Sequence, residues 1–384
     1  MPLSSSWHRI PRMTLKRVGI VLLGLLGVLT VTVLTGVQAG FLVLIGVGFG
    51  LCLQGFGFGF AGAWRRFIQA REAAGLVSHM LLIAVCAGLS LPLLALYPTE
   101  LAGAVSPLSW SLLIGAFVFG LAMQVTDGCG SGSIHKAGAG NSYAWAVLPG
   151  FILGSVWGAT HQSSWLALGG PLDPLTRGTP ATVDLLGALG LPGALGLTLL
   201  LCGGVAAAVR RMAADPAAPL LGAKLVQAAV LLGLLYALHL VVAGQPWGVV
   251  YGLGLWGAKG MAAVGVDFSQ DPFWGATPHA DRLVQPVLWD ITTLTNLGLL
   301  FGAMAAARWS ATDNEHIPLG WKTLLVGITA GVVLGYSSRM AFGCNIGAFL
   351  GGAASASLHG WVWFVFAFFG SVVGVRLRAP LGVR

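Results

Sequence analysis

A chain of 384 residues that is 56% hydrophobic and only 8% charged cannot cover a soluble surface, because soluble domains average about 25% charged residues. The formal net charge of +8 is not gathered into the basic, aromatic-interleaved face that nucleic acid or phosphate binding needs. The basic residues stand beside apolar spans instead: His8, Arg9, Arg12, Lys16 and Arg17; Arg65, Arg66 and Arg71; Arg210, Arg211 and Lys224; Arg376, Arg378 and Arg384. This is the positive-inside pattern, and it predicts a multi-pass membrane protein with both termini cytoplasmic. Glycine, at 58 residues, is about twice its usual share of ~7% and follows no Gly-X-Y period. In a membrane that composition predicts close helix contacts and broken helices. The cysteines are Cys52, Cys86, Cys129, Cys202 and Cys344, none in an extended polar loop, which argues against a disulfide framework. Cys86 and Cys202 lie inside apolar runs and read as small core residues.

In chain order, residues 1–17 form a basic cytoplasmic N-terminus and 18–40 hold the first transmembrane helix. Its uncharged run, 18–37, is long enough for a hydrocarbon layer of ~30 Å. A signal peptide is the competing reading, but the run exceeds the usual signal core of about 7–15 residues. Further spans are predicted over 75–97, 108–126, 142–160, 185–209, 225–244, 286–307, 321–338 and 358–375. Shorter segments broken by glycine pair 41–53 with 60–68, and 248–256 with 260–266. The loops 161–182 and 267–285 carry Pro, Asp, Trp and Gly and are expected outside the membrane.

Two segments repeat. Residues 120–142 (GLAMQVTDGCGSGSIHKAGAGNS) and 335–357 (GYSSRMAFGCNIGAFLGGAASAS) align without gaps. They share Gly120/Gly335, Gly128/Gly343, Cys129/Cys344, Gly132/Gly347, Ala139/Ala354 and Ser142/Ser357. A weaker match joins 47–51 to 251–255. The expected architecture is an all-α polytopic membrane protein, internally duplicated, with about nine transmembrane helices and short broken segments that either cross or re-enter. The first repeat covers 41–160, a connecting loop and helices 161–246, the second repeat 247–376, and a cytoplasmic tail 377–384. Matching interruptions in two halves point to a transporter with its site between them.

Non-helical backbone at membrane depth survives only when buried in protein or lining a cavity. Thr126–Gly132 and Ala341–Gly347 are therefore expected inside the protein. Each cysteine falls at or just before a half-helix N-terminus, where unpaired N–H groups and the positive dipole end favour an anion. The candidate substrate-binding residues are Gly128, Cys129, Gly130, Ser131, Gly343, Cys344, Asn345 and Gly347, and Asn345 also suits a capping role. A neutral thiol can donate a weak hydrogen bond to a soft sulfur atom without repelling an anion. Asp127 is expected to pair with Lys136 or Arg339. Lys259 either offers charge to an anion or snorkels. A metal held by Asp127, Cys129 and His135 is a rival, without the paired spacing zinc sites show.

On residues 48–67 (GFGLCLQGFGFGFAGAWRRF), 126–141 (TDGCGSGSIHKAGAGN) and 339–361 (RMAFGCNIGAFLGGAASASLHGW), the sequence resembles the YeeE/YedE family of sulfur-transport membrane proteins over about 41–376. The resemblance implies an hourglass-shaped, pseudo-symmetric helical protein of a bacterial inner membrane, with short re-entrant half-helices meeting at the centre, that takes up thiosulfate without lasting bonds. The central family cysteines carry over onto Cys129 and Cys344. It also implies a small sulfur anion and membrane lipid as partners, and a small cytosolic sulfur-carrier or rhodanese-like protein. Many members have a third cysteine in a Q-x-x-x-F-C-F pattern. Here Gln54 and Phe58 match, and Gly59 stands where the thiol would be. No cofactor and no catalysis are expected. The alternative is a membrane thiol-redox or sulfurtransferase enzyme carrying persulfide on the same cysteines.

Overall fold

Away from water each backbone N–H and C=O must be satisfied within its own segment, and helices do this for nearly the whole chain. The computed structural model describes residues 12–172, 181–215, 219–310 and 320–383. Most of the basic N-terminal segment 1–17 lies outside them.

The order is α1 (Arg12–Thr35), α2 (Val37–Phe56), α3 (Phe60–Ala70), α4 (Ala74–Leu96), α5 (Trp110–Val125), α6 (Gly130–Gly138), α7 (Ser142–Thr160) and the short α8 (Gln162–Leu166). There follow α9 (Leu185–Arg211), α10 (Ala223–Ala243), α11 (Val249–Ala263), α12 (His279–Val284), α13 (Ile291–Ser310) and α14 (Trp321–Met340). A π-wound turn, Asn345–Leu350, runs into Gly351–Ala354 to make α15, and α16 spans Leu358–Leu377. Among the described residues, 8 stretches are long and apolar enough to cross a membrane, and α7 and α13 are 19 and 20 residues long. The protein is an all-α polytopic membrane protein.

Glycine sets how closely these helices approach. A Cβ at Gly150, Gly154 or Gly158 of α7 would fall 2.1, 2.0 or 2.6 Å from the carbonyl oxygens of Ile328, Val332 and Tyr336 on α14. Helices α5 and α16 meet in the same way, with Gly120 against the Ala367 carbonyl and Gly370 against that of Phe117, each at 1.9 Å. Such small-residue seams let backbones touch where no hydrophobic force drives association. The helix before each repeated cysteine thus packs on the helix that follows the other one.

The expected interruption between 41–53 and 60–68 is present. Gly57, at φ 65, closes α2 by donating to the carbonyls of Leu53 and Gln54, and Gly59 is extended before α3 begins. The interruption expected between 248–256 and 260–266 is not there: α11 runs unbroken through it. Its glycines are contact points. A Cβ at Gly252 would strike Asn296 and Thr292, one at Gly254 the Ser155 hydroxyl, and one at Gly257 Ile152 and Val156.

The connections gather at two ends. At one end Ala102 donates to the Gly244 carbonyl and Leu108 to that of Ala181, both at 2.8 Å, and Leu185 donates to Ala356. At the other end Ala214 donates to the Arg71 carbonyl, and Arg17 reaches the carbonyl and ring of Trp309.

Candidate functional site

Both repeated segments fold to one local design. Asp127 and Phe342, each two residues before its cysteine, hold φ 57 and 59. A positive φ is tolerable for an Asp and a steric outlier for a Phe, so the turn itself is required. Gly128 then donates to the Met123 carbonyl at 3.1 Å, and Gly343 to that of Ser338 at 2.8 Å. Beyond the turn, Ser133 and Ala348 donate to the carbonyls of Cys129 and Cys344, both at 2.8 Å. Each cysteine is the N-cap of its short helix, with extended backbone and no side-chain cap bond. As at any helix start, the first N–H groups of α6 and α15 have no carbonyl partner within their own helix.

The thiols are buried and free of disulfide bonding. They lie close together: a Cβ at Gly130, the residue after Cys129, would sit 3.5 Å from the Cys344 sulfur. Cys129 Sγ is 3.4 Å from Ser131 Oγ. His135 Nδ1 is 3.1 Å from the Ser131 carbonyl. Asn345 is wholly buried, yet neither its amide nitrogen nor its oxygen has a partner, and Ser133 Oγ is also unpaired. Asn345 does not cap the turn, because that position belongs to Cys344. Buried polar atoms without partners are rare in folded proteins and mark where a ligand or water belongs.

A cavity of ≈ 320 Å³ opens beside Cys129. Gln54, Gly59, Asp127, Gly128, Ser131, His135 and Lys136 line it, together with Phe58, Arg65 and Arg66. Asp127 ties its charges together: Arg65 and Lys136 pair with the carboxylate, and Arg378 approaches at 3.3 Å. Three cations around one carboxylate leave net positive charge in a partly buried setting, which draws anions.

Arg339 does not join this group. It lies over the Phe273 ring at 4.5 Å, at the opposite end of the bundle, and so cannot pair with Asp127. Lys259 is there too, donating to the carbonyls of Leu283 and Gln285. Gly347 does not line the cavity, and a Cβ there would approach the Trp247 carbonyl at 3.8 Å. Sequence reasoning took Arg65 only as a marker of membrane side. The missed signal was the amphipathic spacing of α3, which buries Phe60, Trp64 and Phe67 and turns Arg65 and Arg66 to the cavity.

The bundle thus holds two buried thiols at two matching helix interruptions, with a cationic cavity beside the first. The sulphur transport family model matches residues 57–373, and the chain belongs to that family. It is similar to a protein named probable transporter YedE from Escherichia coli (strain K12), 28% identical over 151 residues, 39% of this chain and 37% of that protein. The YedE of Salmonella typhimurium is 28% identical over 144 residues, 38% of this chain and 35% of that one. The chain thus matches little more than a third of the length of these two relatives. A protein named thiosulfate transporter TsuA from Spirochaeta thermophila is 27% identical over 271 residues, 67% of this chain and 74% of that protein.

Proposed function

We propose that the protein takes up a small sulfur-containing oxyanion, thiosulfate, across a bacterial inner membrane by way of Cys129 and Cys344. The observation that carries this reading is the pair of free thiols that lie close together, each at the N-cap of a short helix. The helix ends supply dipole and donors for the oxyanion charge. The S–H groups are weak donors suited to the terminal sulfur. Weak neighbouring seats favour passage, since a permeant must leave as readily as it enters. Arg65 and Lys136 raise the local anion concentration, and Asp127 moderates their hold. The unpaired amide of Asn345 supplies a further donor beside Cys344.

Arg65, Arg66, Arg71, Arg210, Arg211 and Arg378 share the cavity's end of the bundle, which the positive-inside rule makes cytoplasmic, with both termini there. Lipid covers the outer helix faces. A small cytosolic sulfur-carrier or rhodanese-like protein would receive the passenger at the cavity mouth.

The test is uptake of radiolabelled thiosulfate into proteoliposomes. Cys129→Ala and Cys344→Ala are expected to insert normally and lose uptake, and wild-type rates in both would overturn the mechanism. Mass spectrometry during turnover separates the enzymatic alternative, which requires a persulfide on one of these cysteines.

A further inference from the structure

A second hollow, of ≈ 470 Å³, opens between the last turn of α3 and the C-terminal half of α16, and it shares no lining residue with the cavity beside Cys129. Arg71 closes α3 in a left-handed conformation, at φ 55, and donates to the Phe67 carbonyl at 3.0 Å. Positive φ is uncommon outside glycine, and the turn is held from beyond α9, where Ala214 donates to the Arg71 carbonyl at 3.2 Å. The Arg71 guanidinium lies 5.7 Å from the centre of the Phe67 ring, and that ring packs on Phe368 with centres 6.1 Å apart. Arg376 stands in the last turn of α16. Phe368, Val372 and Arg376 are spaced by four, so they form one stripe of that helix, about 12 Å long, apolar along its length and cationic at its end. The neighbouring Val365, Phe369 and Val373 are exposed to the lipid side. Arg71 and Arg376 are both exposed, and neither forms an ion pair among the described residues. Glu72, the acid beside Arg71, is held by Arg66 at 3.4 Å.

We propose that this hollow seats an anionic phospholipid of the cytoplasmic leaflet, with its phosphate between Arg71 and Arg376 and one acyl chain along Val372 and Phe368. Guanidinium forks match phosphate oxygens. Basic pockets between membrane helices on the cytoplasmic side suit anionic headgroups. A soluble phosphate or an acidic peptide would satisfy the cations and leave Ile68, Phe368 and Val372 uncovered. A zwitterionic lipid would cover that apolar wall but bring an ammonium group to two cations. The lipid fastens α3 to α16. Because α3 also turns Arg65 and Arg66 to the cavity, it braces one cavity wall from outside, whatever the protein carries.

The test uses the full chain in phosphatidylcholine vesicles carrying a trace of phosphatidylglycerol with a photoactivatable acyl chain. Crosslinked residues are mapped by mass spectrometry. Labelling is expected on Ile68 and on the stretch 368–376, and a phosphatidylcholine probe with the same chain should label these positions at least about fivefold less. Arg71→Gln combined with Arg376→Gln should erase that preference; both side chains are exposed, so the variant is expected to fold. Val372→Trp keeps both cations but fills the hollow, and should cut labelling by both probes. Equal labelling by the two probes, or a preference that survives the double substitution, would overturn the proposal. Full displacement of the probe by glycerophosphoglycerol or by a polyglutamate peptide, at concentrations comparable to the lipid, would assign the hollow to a soluble anion or an acidic partner and overturn it equally.

Discussion

Gly59→Cys places a thiol where the cavity is open and where the structure gives it almost no energetic consequence. A Cβ at Gly59 meets nothing within 4 Å, and the backbone there is extended, at φ −155. Replacing glycine at a compatible position stabilises by about 0.4–1 kcal/mol through the unfolded chain. The loss of glycine from a helix N-cap costs a similar amount, of order 0.5–1 kcal/mol. The two nearly cancel, so the midpoint of thermal unfolding should move by no more than a few degrees. The five native cysteines are all buried, which makes the variant's new thiol the fast-reacting one. A polar maleimide should label Gly59→Cys in detergent within the time that leaves wild type unmodified, and thiosulfate should slow the labelling. A variant that resists labelling, or that loses more than about 2 kcal/mol, would show that Gly59 does not face open space.

Three further outcomes follow from named contacts. Asp127→Asn removes the charge that Arg65, Lys136 and Arg378 share but suits the same turn, and should cost about 2 kcal/mol. Asp127→Ala should cost about 1 kcal/mol more, because alanine resists positive φ, and equal losses in thermal unfolding would refute the backbone argument. Gly154→Ala forces a methyl to within 2.0 Å of the Val332 carbonyl and should destabilise by about 2–3 kcal/mol, whereas Gly203→Ala, with open space around it, should be neutral or stabilising. His279, the first residue of the short helix α12, has its pKa pushed down from 6.5 to about 4 by burial first and then by Arg339 and Arg282. The folded protein keeps this ring neutral where the unfolded chain would take up a proton. Stability is therefore full above pH 6.5 and falls as pH drops from 6.5 towards about 4. His279→Gln should flatten that slope in acid unfolding, and an unaltered slope would assign it to other groups.

The sequence showed the interruptions at Cys129 and Cys344 because glycine, cysteine and small polar residues recur there at one spacing within apolar runs. It misled at 248–266 because glycine has two uses in a membrane, and composition cannot tell them apart. At Gly57 it relieves a left-handed turn, whereas in α11 it lets other side chains press against a continuous helix. Span limits were readable to within a few residues wherever a cap is local. Ser109 accepts from Leu112 and Asn141 from Ala144, fixing the starts of α5 and α7. The ring of cations around Asp127 was only partly readable. Lys136 is nine residues away, but Arg65 and Arg378 are 62 and 251 positions distant, and no local pattern reports contacts of that range. Arg339 was misassigned for the same reason, since its aromatic partners come from α11 and the following loop.

The two cysteine turns share a positive φ two residues before the thiol but differ in the side chain there: a carboxylate at position 127 and a phenyl ring at 342. The first turn is thus pinned from outside by three cations and the second by packing of its ring against the core, so raised salt should loosen the turn at 127 and leave the one at 342 unmoved.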